Sequence, residues 1–74
     1  MKTINTIKTG QNLRKLSEER GYSAIRLSRT LGFSEDCVFK WFAGINVPRV
    51  DTLVMLAEIF GKKIDDLIIC DEIA

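Results

Sequence analysis

The sequence contains no histidine, one proline and two cysteines in 74 residues. Histidine is the usual general base, and without it no Ser–His or Cys–His pair can form, so we predict that the protein is not an enzyme. Cys37 and Cys70 are far apart in the chain and form no CxxC pair. The sequence therefore predicts neither a metal site nor a cofactor, and we expect both thiols to be free.

Long apolar runs are also missing. No run approaches the roughly 20 residues that span a bilayer, and the first ten residues, MKTINTIKTG, lack the apolar stretch of a secretory signal. We therefore expect a cytoplasmic protein. Apolar residues make up 46% of the chain and charged residues 28%, a composition that is typical of a single globular domain.

The formal net charge is only +1, but the charge is unevenly distributed. Residues 1–49 carry nine Lys or Arg and four Asp or Glu, whereas residues 50–74 carry two and six. A basic half and an acidic half would orient the molecule toward a polyanion. Two ordinary solvated surfaces would give the same counts, so charge alone does not decide between these interpretations.

Five glycines divide the chain into short segments whose apolar residues recur every three or four positions. This spacing predicts five helices and no sheet. The helices are predicted at about 6–20 (starting at Asn5 or Thr6), 24–31, 35–42, 50–60 and 64–69. Residues 1–74 would form one domain with a core over about 6–69, a short N-terminal arm and a frayed C-terminal tail. The predicted inward side chains are Ile7, Leu13, Leu16, Leu27, Leu31, Val38, Trp41, Leu53, Leu56, Ala57, Phe60 and Leu67.

The second and third predicted helices carry clear boundary signals. Ser23 and Ser34 precede them, where a hydroxyl can accept a hydrogen bond from an unpaired backbone N–H. Between the caps, the small Ser28 would allow two helices to approach closely. Gly32 would supply the positive φ of a tight reversal, and Gly44 would end the third helix.

The third predicted helix has one face with a packing role. Val38 and Trp41 would hold that face against the second helix, which leaves the opposite face free. We expect Trp41 to be a core residue rather than a stacking platform, and Cys37 to be a small buried side chain near the second helix.

Several segments, in this order, carry a resemblance to a known family: TGQNLRKLSEERGYS, LSRTLGFS, the KW and G of VFKWFAGINVP, LVMLAEIFG and IDDLI. Over about residues 9–69 the chain resembles the helix-turn-helix domain of the phage repressor–Cro (XRE-like) family. The resemblance implies an all-α, lambda-repressor-like fold of five helices and sequence-specific binding of double-stranded DNA. It also implies transcriptional regulation in a prokaryotic or phage context, near the nucleoid, with the third helix in the major groove.

By position, the resemblance implies two sets of contact residues. Base-facing residues on the third helix would be Ser34, Glu35, Asp36, Phe39 and Lys40. Phosphate-contacting residues would be Ser23, with the N–H groups at the start of the second helix, and Asn46 and Arg49 in the loop after the third helix. Arg26 and Arg29 join this set for another reason, because cations near these two helices would supply attraction to the DNA backbone.

Two positions depart from the family pattern. Ala24 stands where the family often has Gln, so a phosphate at the start of the second helix would meet backbone N–H groups alone. Phe42 stands where Glu is common, and its ring is either buried or available to a partner.

Glu35 and Asp36 are unusual because they begin a helix that would face a polyanion. Three interpretations stay open. The two acids stabilise the first turn through the helix dipole; a carboxylate accepts a hydrogen bond from cytosine N4; or the helix does not enter DNA well and the domain works through protein contacts. Phe39 is equally open, since it would contact either a thymine methyl group or a partner protein.

A protein-interaction module on the same fold, with weak or no DNA binding, is the alternative function. Ile68, Ile69 and Ile73 lie in an acidic C-terminal segment and would form either a partner surface or a homodimer seam through the C-terminal helix and tail. The sequence predicts no membrane partner and no small-molecule substrate. Salt dependence separates the two functions, because DNA binding weakens as salt rises.

Overall fold

The protein folds into five short helices and a two-stranded ribbon, in a computed structural model that describes residues 1–73. The predicted all-α, five-helix fold class is confirmed. The second and fourth helices have the predicted bounds, the third is one residue longer, and the fifth is shorter by two. In chain order the elements are β1 (Lys2–Ile4), α1 (Thr6–Glu19), α2 (Ala24–Leu31), α3 (Glu35–Ala43), α4 (Val50–Phe60), α5 (Ile64–Leu67) and β2 (Cys70–Glu72).

Side-chain caps define the starts of the first three helices. The Asn5 side chain accepts a hydrogen bond from the Lys8 N–H at 2.9 Å. The Ser23 hydroxyl accepts from the Arg26 N–H at 3.1 Å, and the Ser34 hydroxyl accepts from the Cys37 N–H at 3.2 Å. Each cap satisfies an N–H that has no partner within its own helix, and the two predicted serine caps are confirmed.

The core is apolar and draws on all five helices. Leu31 is only half-buried, and Ile7, which was predicted to point inward, is 60% exposed. On a regular helix Ile7 lies about 120° around the axis from Leu13, and the buried positions in this part of α1 are Thr9 and Gly10. The buried apolar residues are Leu13, Leu16, Leu27, Val38, Trp41, Leu53, Leu56, Ala57, Phe60 and Leu67.

Helices α1 and α3 cross at very short range through two glycines. A Cβ on Gly10 would overlap the Trp41 carbonyl oxygen and lie 2.6 Å from the Phe42 carbonyl oxygen. A Cβ on Gly44 would lie 2.6 Å from the Ile7 Cα. Both positions therefore require a residue without a side chain. The crossing fixes the carboxyl end of α3 against the start of α1.

The chain ends form a short antiparallel ribbon, which corrects the expectation of no sheet and of a frayed tail. Lys2 pairs with Glu72, Thr3 with Asp71 and Ile4 with Cys70. All six residues are exposed. Three-residue strands with no buried face show no alternation of apolar and polar residues, so the sequence pattern could not reveal them.

Two polar side chains of α1 hold the end of α5 and the segment that follows it. The Thr9 hydroxyl is buried, accepts a hydrogen bond from the Ile69 N–H at 3.0 Å and donates to the Ile69 carbonyl at 3.3 Å. The Asn12 amide donates to the Asp66 and Leu67 carbonyls at 2.9 and 3.1 Å. These bonds satisfy backbone groups at the end of a four-residue helix and direct the chain toward β1.

Among residues 1–73, none of the helices has the length and apolar character needed to cross a membrane. Cys37 is half-buried against the core, Cys70 is exposed, and both are free thiols.

Candidate nucleic-acid interface

In the turn between α2 and α3, a single carbonyl oxygen accepts two backbone hydrogen bonds. The N–H groups of Gly32 and Phe33 both donate to the Ser28 carbonyl oxygen at 2.9 Å, and Gly32 has a φ of 79°. Ser28 is buried, and its hydroxyl donates to the Ile25 carbonyl at 2.7 Å. This geometry ends α2 with a left-handed glycine and starts α3 three residues later.

The inner face of α3 is packed against the rest of the molecule. Val38 and Trp41 are 0% and 4% exposed. The Phe33 ring meets the Trp41 ring edge-on, with centroids 5.1 Å apart and planes at 74°. The prediction that Trp41 belongs to the core is confirmed, and this contact ties the turn to α3.

The outer face of α3 is open to solvent. Glu35, Asp36, Phe39 and Lys40 are all exposed, as is the cap residue Ser34. Their spacing of one, four and five residues places them on one side of the helix. The structure thus brings the five predicted base-facing residues to a single exposed surface, which we call the outer face.

An ion pair spans the outer face. The Lys40 Nζ lies 3.0 Å from the Asp36 Oδ2, and the two side chains are 45% and 76% exposed. Glu35 takes part in none of the ion pairs formed within residues 1–73. This pair was not predicted from the sequence, although Asp36 and Lys40 have the i, i+4 spacing that favours an ion pair on a helix. It offsets one of the two negative charges that made α3 look unsuited to DNA.

Arg26 is held at the start of α2. Its guanidinium carbon lies 4.3 Å from the centroid of the Tyr22 ring, and its Nη1 donates to the Gly21 carbonyl at 3.1 Å. Its backbone N–H is the donor to the Ser23 cap. The side chain is therefore oriented, while its remaining N–H groups stay available as donors.

The other predicted phosphate-contacting residues are exposed. The side chains of Arg29, Asn46 and Arg49 form none of the hydrogen bonds or ion pairs found within the described part of the chain. Arg49 is the N-cap residue of α4 and borders a groove beside Cys37 and Trp41. The cations Arg29 and Arg49 thus flank α3 on both sides in sequence.

A shallow apolar groove of about 340 Å³ lies between α1, the start of α2 and α3. Phe39, Phe42, Ala24 and Ile25 line it, and Phe39 is 53% exposed. Phe42 is half-buried against the core. Both positions that depart from the family pattern, Ala24 and Phe42, therefore border the same groove.

A family model described as helix-turn-helix matches residues 11–67, which include α2 and α3. The chain belongs to the XRE-like helix-turn-helix family. Members of this family are DNA-binding transcriptional regulators, and the motif of the family is the α2–turn–α3 unit described above.

Solved structures share the fold of this family member. The restriction-modification controller protein C.AhdI from Aeromonas hydrophila is 24% identical, with a TM-score of 0.75 over 85% of this chain and 96% of that chain. Fe(II)-HppE, in a structure with the alternative substrate (S)-1-HPP, is 21% identical, with a TM-score of 0.79 over 93% of this chain and 35% of that one. At these identities the likeness concerns the fold alone.

The curated proteins contain no match to this family member. Within residues 1–73, its acids and cysteines form no group of three or more that could hold a metal ion.

Proposed function

We propose that the protein binds double-stranded DNA in a sequence-specific way and regulates transcription, with the outer face of α3 in the major groove. The observation that carries this proposal is the division of α3 into two faces. Val38 and Trp41 fix the helix to the core, while Asp36, Phe39 and Lys40 are presented to solvent on a family fold that serves DNA recognition.

Phosphate contacts would supply most of the affinity. Arg29 on α2 is exposed, as are Asn46 and Arg49 after α3, and Arg26 is oriented by Tyr22. At the start of α2, Ser23 and the free backbone N–H groups would receive a phosphate, since Ala24 has no side-chain donor. Such contacts position the protein without reading sequence.

The Asp36–Lys40 pair suggests which base pair the outer face of α3 would recognise. A G·C base pair shows the guanine O6 and N7 acceptors next to the cytosine N4 donor in the major groove. Lys40 offers a donor 3.0 Å from an Asp36 acceptor, so the two side chains complement one G·C pair. We propose that Lys40 contacts guanine while Asp36 contacts cytosine, and that Glu35 mainly stabilises the first turn.

Phe39 would add a second element of specificity. Its exposed ring lies on the same face as Lys40 and borders the apolar groove with Ile25. An exposed aromatic ring in the major groove can contact the methyl group of thymine, which no other base carries. A thymine next to the G·C pair is therefore part of the proposed half-site.

We include a homodimer in the proposal, because a helix-turn-helix dimer reads two half-sites of a symmetric operator. Of the isoleucines predicted to form a C-terminal seam, Ile68 and Ile69 are half-buried and Ile73 is exposed. The proposed setting is the cytoplasm or nucleoid. No catalytic step and no cofactor are part of the function.

The test is selection from a randomised duplex pool with sequencing, at two salt concentrations. Enrichment of a two-fold motif containing G·C, with binding that weakens steeply as salt rises, is the expected result. Arg49→Ala should weaken binding to all sequences alike, and Lys62→Ala, outside the α2–turn–α3 unit, is the matched control with the same change of charge. No enrichment and weak binding at low salt would favour the protein-interaction module instead.

A further inference from the structure

The terminal ribbon leaves two strand edges unpaired. Within residues 1–73, β1 and β2 pair only with each other, and all six of their residues are exposed. A two-stranded ribbon is at best marginally stable in water, and additional strands usually stabilise it. An open edge with free backbone groups is also a template for another strand.

The ladder shows which backbone groups face inward. The Asn5 N–H donates to the Ile69 carbonyl at 2.8 Å, and the Ile73 N–H donates to the Met1 carbonyl at 2.7 Å. Hydrogen-bonded and non-hydrogen-bonded pairs alternate along an antiparallel ladder. Met1, Thr3 and Asn5 are therefore the positions whose backbone groups form hydrogen bonds across the ribbon.

This alternation determines what the outer edge of β1 offers. Thr3, opposite Asp71, is a hydrogen-bonded position, so Lys2 and Ile4 direct their N–H and C=O groups away from β2. The outer edge of β1 thus carries two donors and two acceptors in the spacing that an antiparallel strand requires.

We propose that β1 pairs with β1 of a second copy of this chain, which joins the two ribbons into one four-stranded antiparallel sheet. Lys2 of each copy would exchange both backbone hydrogen bonds with Ile4 of the other copy. Thr3 would face Thr3 of the second copy across the two-fold axis, and Thr–Thr cross-strand pairs are favourable. The interface is isologous, so it closes after two copies.

Charge selects this edge over the outer edge of β2. The same alternation directs Cys70 and Glu72 outward on β2, so a two-fold pairing of β2 would place Asp71 opposite Asp71. That pair would be of the non-hydrogen-bonded kind, with Cα atoms only about 4.5 Å apart. Like charges directly opposite each other destabilise a sheet, and the β1 edge brings no such pair together.

Cross-linking locates the two-fold axis. Cys37→Ala and Cys70→Ser provide a cysteine-free background, in which Thr3→Cys and Asp71→Cys are compared. A separation of about 4.5 Å allows a disulfide, so oxidised Thr3→Cys should run as a covalent dimer on a non-reducing gel and Asp71→Cys as a monomer. The reverse pattern, or no cross-link in either variant, would overturn the proposal.

Two proline variants test the edges directly by sedimentation velocity without DNA. Ile4→Pro removes an outward N–H from β1, and Glu72→Pro removes one from β2; neither group bonds across the ribbon. Wild type and Glu72→Pro should dimerise, and the association constant of Ile4→Pro should fall at least about tenfold, because two intermolecular hydrogen bonds are lost. Circular dichroism checks that both proline variants are folded. If Ile4→Pro is unfolded, the disulfide cross-linking of Thr3→Cys and Asp71→Cys tests the proposal instead.

Dimerisation and DNA binding are measured separately. A wild-type chain that stays monomeric across a concentration series but binds DNA in a salt-dependent way would overturn the β1 dimer and the homodimer included in the proposed function, while the proposed DNA binding would stand. A dimer that binds no DNA would leave the β1 dimer standing and overturn the proposed DNA binding.

Discussion

The two faces of α3 differ in what fixes them. On the inner face, Val38 and Trp41 are almost fully buried and Trp41 also contacts the Phe33 ring. On the outer face, the Asp36 and Lys40 side chains are held, within residues 1–73, only by each other in an exposed ion pair, an interaction worth about 0.3–0.5 kcal/mol. Substitutions on the inner face should therefore change stability, and those on the outer face should change recognition.

The largest expected effect is on the inner face. Trp41→Ala should lower the free energy of unfolding by about 3–5 kcal/mol, because it leaves a cavity where a buried ring stood. A domain of this size has little stability to spare, so the variant should be largely unfolded by circular dichroism. Phe39→Ala, which removes an exposed ring from the same helix, should change stability by about 0.5 kcal/mol or less. Equal losses in the two variants would contradict the division into faces.

The crossing of α1 and α3 comes next. Gly10→Ala should destabilise by about 1–3 kcal/mol in urea unfolding, because its Cβ would overlap the Trp41 carbonyl and force the helices apart. This exceeds the gain of about 1 kcal/mol that alanine usually brings to a helix interior. Gln11→Ala, at the exposed neighbouring position, is the control and should be nearly neutral. A stabilised Gly10→Ala variant would show that the crossing can open without cost.

The ion pair of the outer face should affect discrimination more than stability. Lys40→Met should reduce the preference for G·C at the contacted base pair by about 1–3 kcal/mol in competition binding, the value of a good base contact. Asp36→Asn should reduce the same preference, and the double variant should lose less than the sum of the two, because the side chains act on one base pair. Additive losses, or preferences that change at different positions, would refute joint readout.

Glu35→Gln has the smallest expected effect. Loss of a negative charge from the first turn should cost about 0.3–1 kcal/mol of stability. If Glu35 only stabilises that turn, the selected DNA motif should stay the same. A changed motif would show that Glu35 also reads a base. A uniform rise in affinity for every duplex would instead assign it a purely repulsive role toward phosphates.

The helices could be predicted from the sequence because their signals are local. Ser23 and Ser34 lie within three residues of the N–H groups that they cap, and Gly32 and Gly44 adopt the left-handed conformation at helix ends. The role of Gly10 could not be predicted in the same way. Its neighbours in space belong to α3, and a helix-propensity scale records only the cost of glycine within its own helix.

The candidate site was predicted by position rather than by geometry. The resemblance identified the residues of the outer face, but which of them touch depends on side-chain conformation. The Asp36–Lys40 pair was accessible from i, i+4 spacing. The orientation of Arg26 by the Tyr22 ring could not be predicted in this way, because it depends on the direction that the chain takes between α1 and α2. Individual contacts with DNA remain predictions for the experiments above.

The bonds between Thr9 and Ile69 have a consequence for the order of folding. These partners are 60 residues apart in sequence, whereas the contacts within α2–turn–α3 are local. Closing so large a loop is entropically costly and comes late. We therefore expect the α2–turn–α3 unit to form before the ribbon, with β1 unpaired until β2 joins it. A folding chain thus acquires its recognition surface before its ribbon, so pairing of ribbons with a second copy through β1 would be among the last steps of folding.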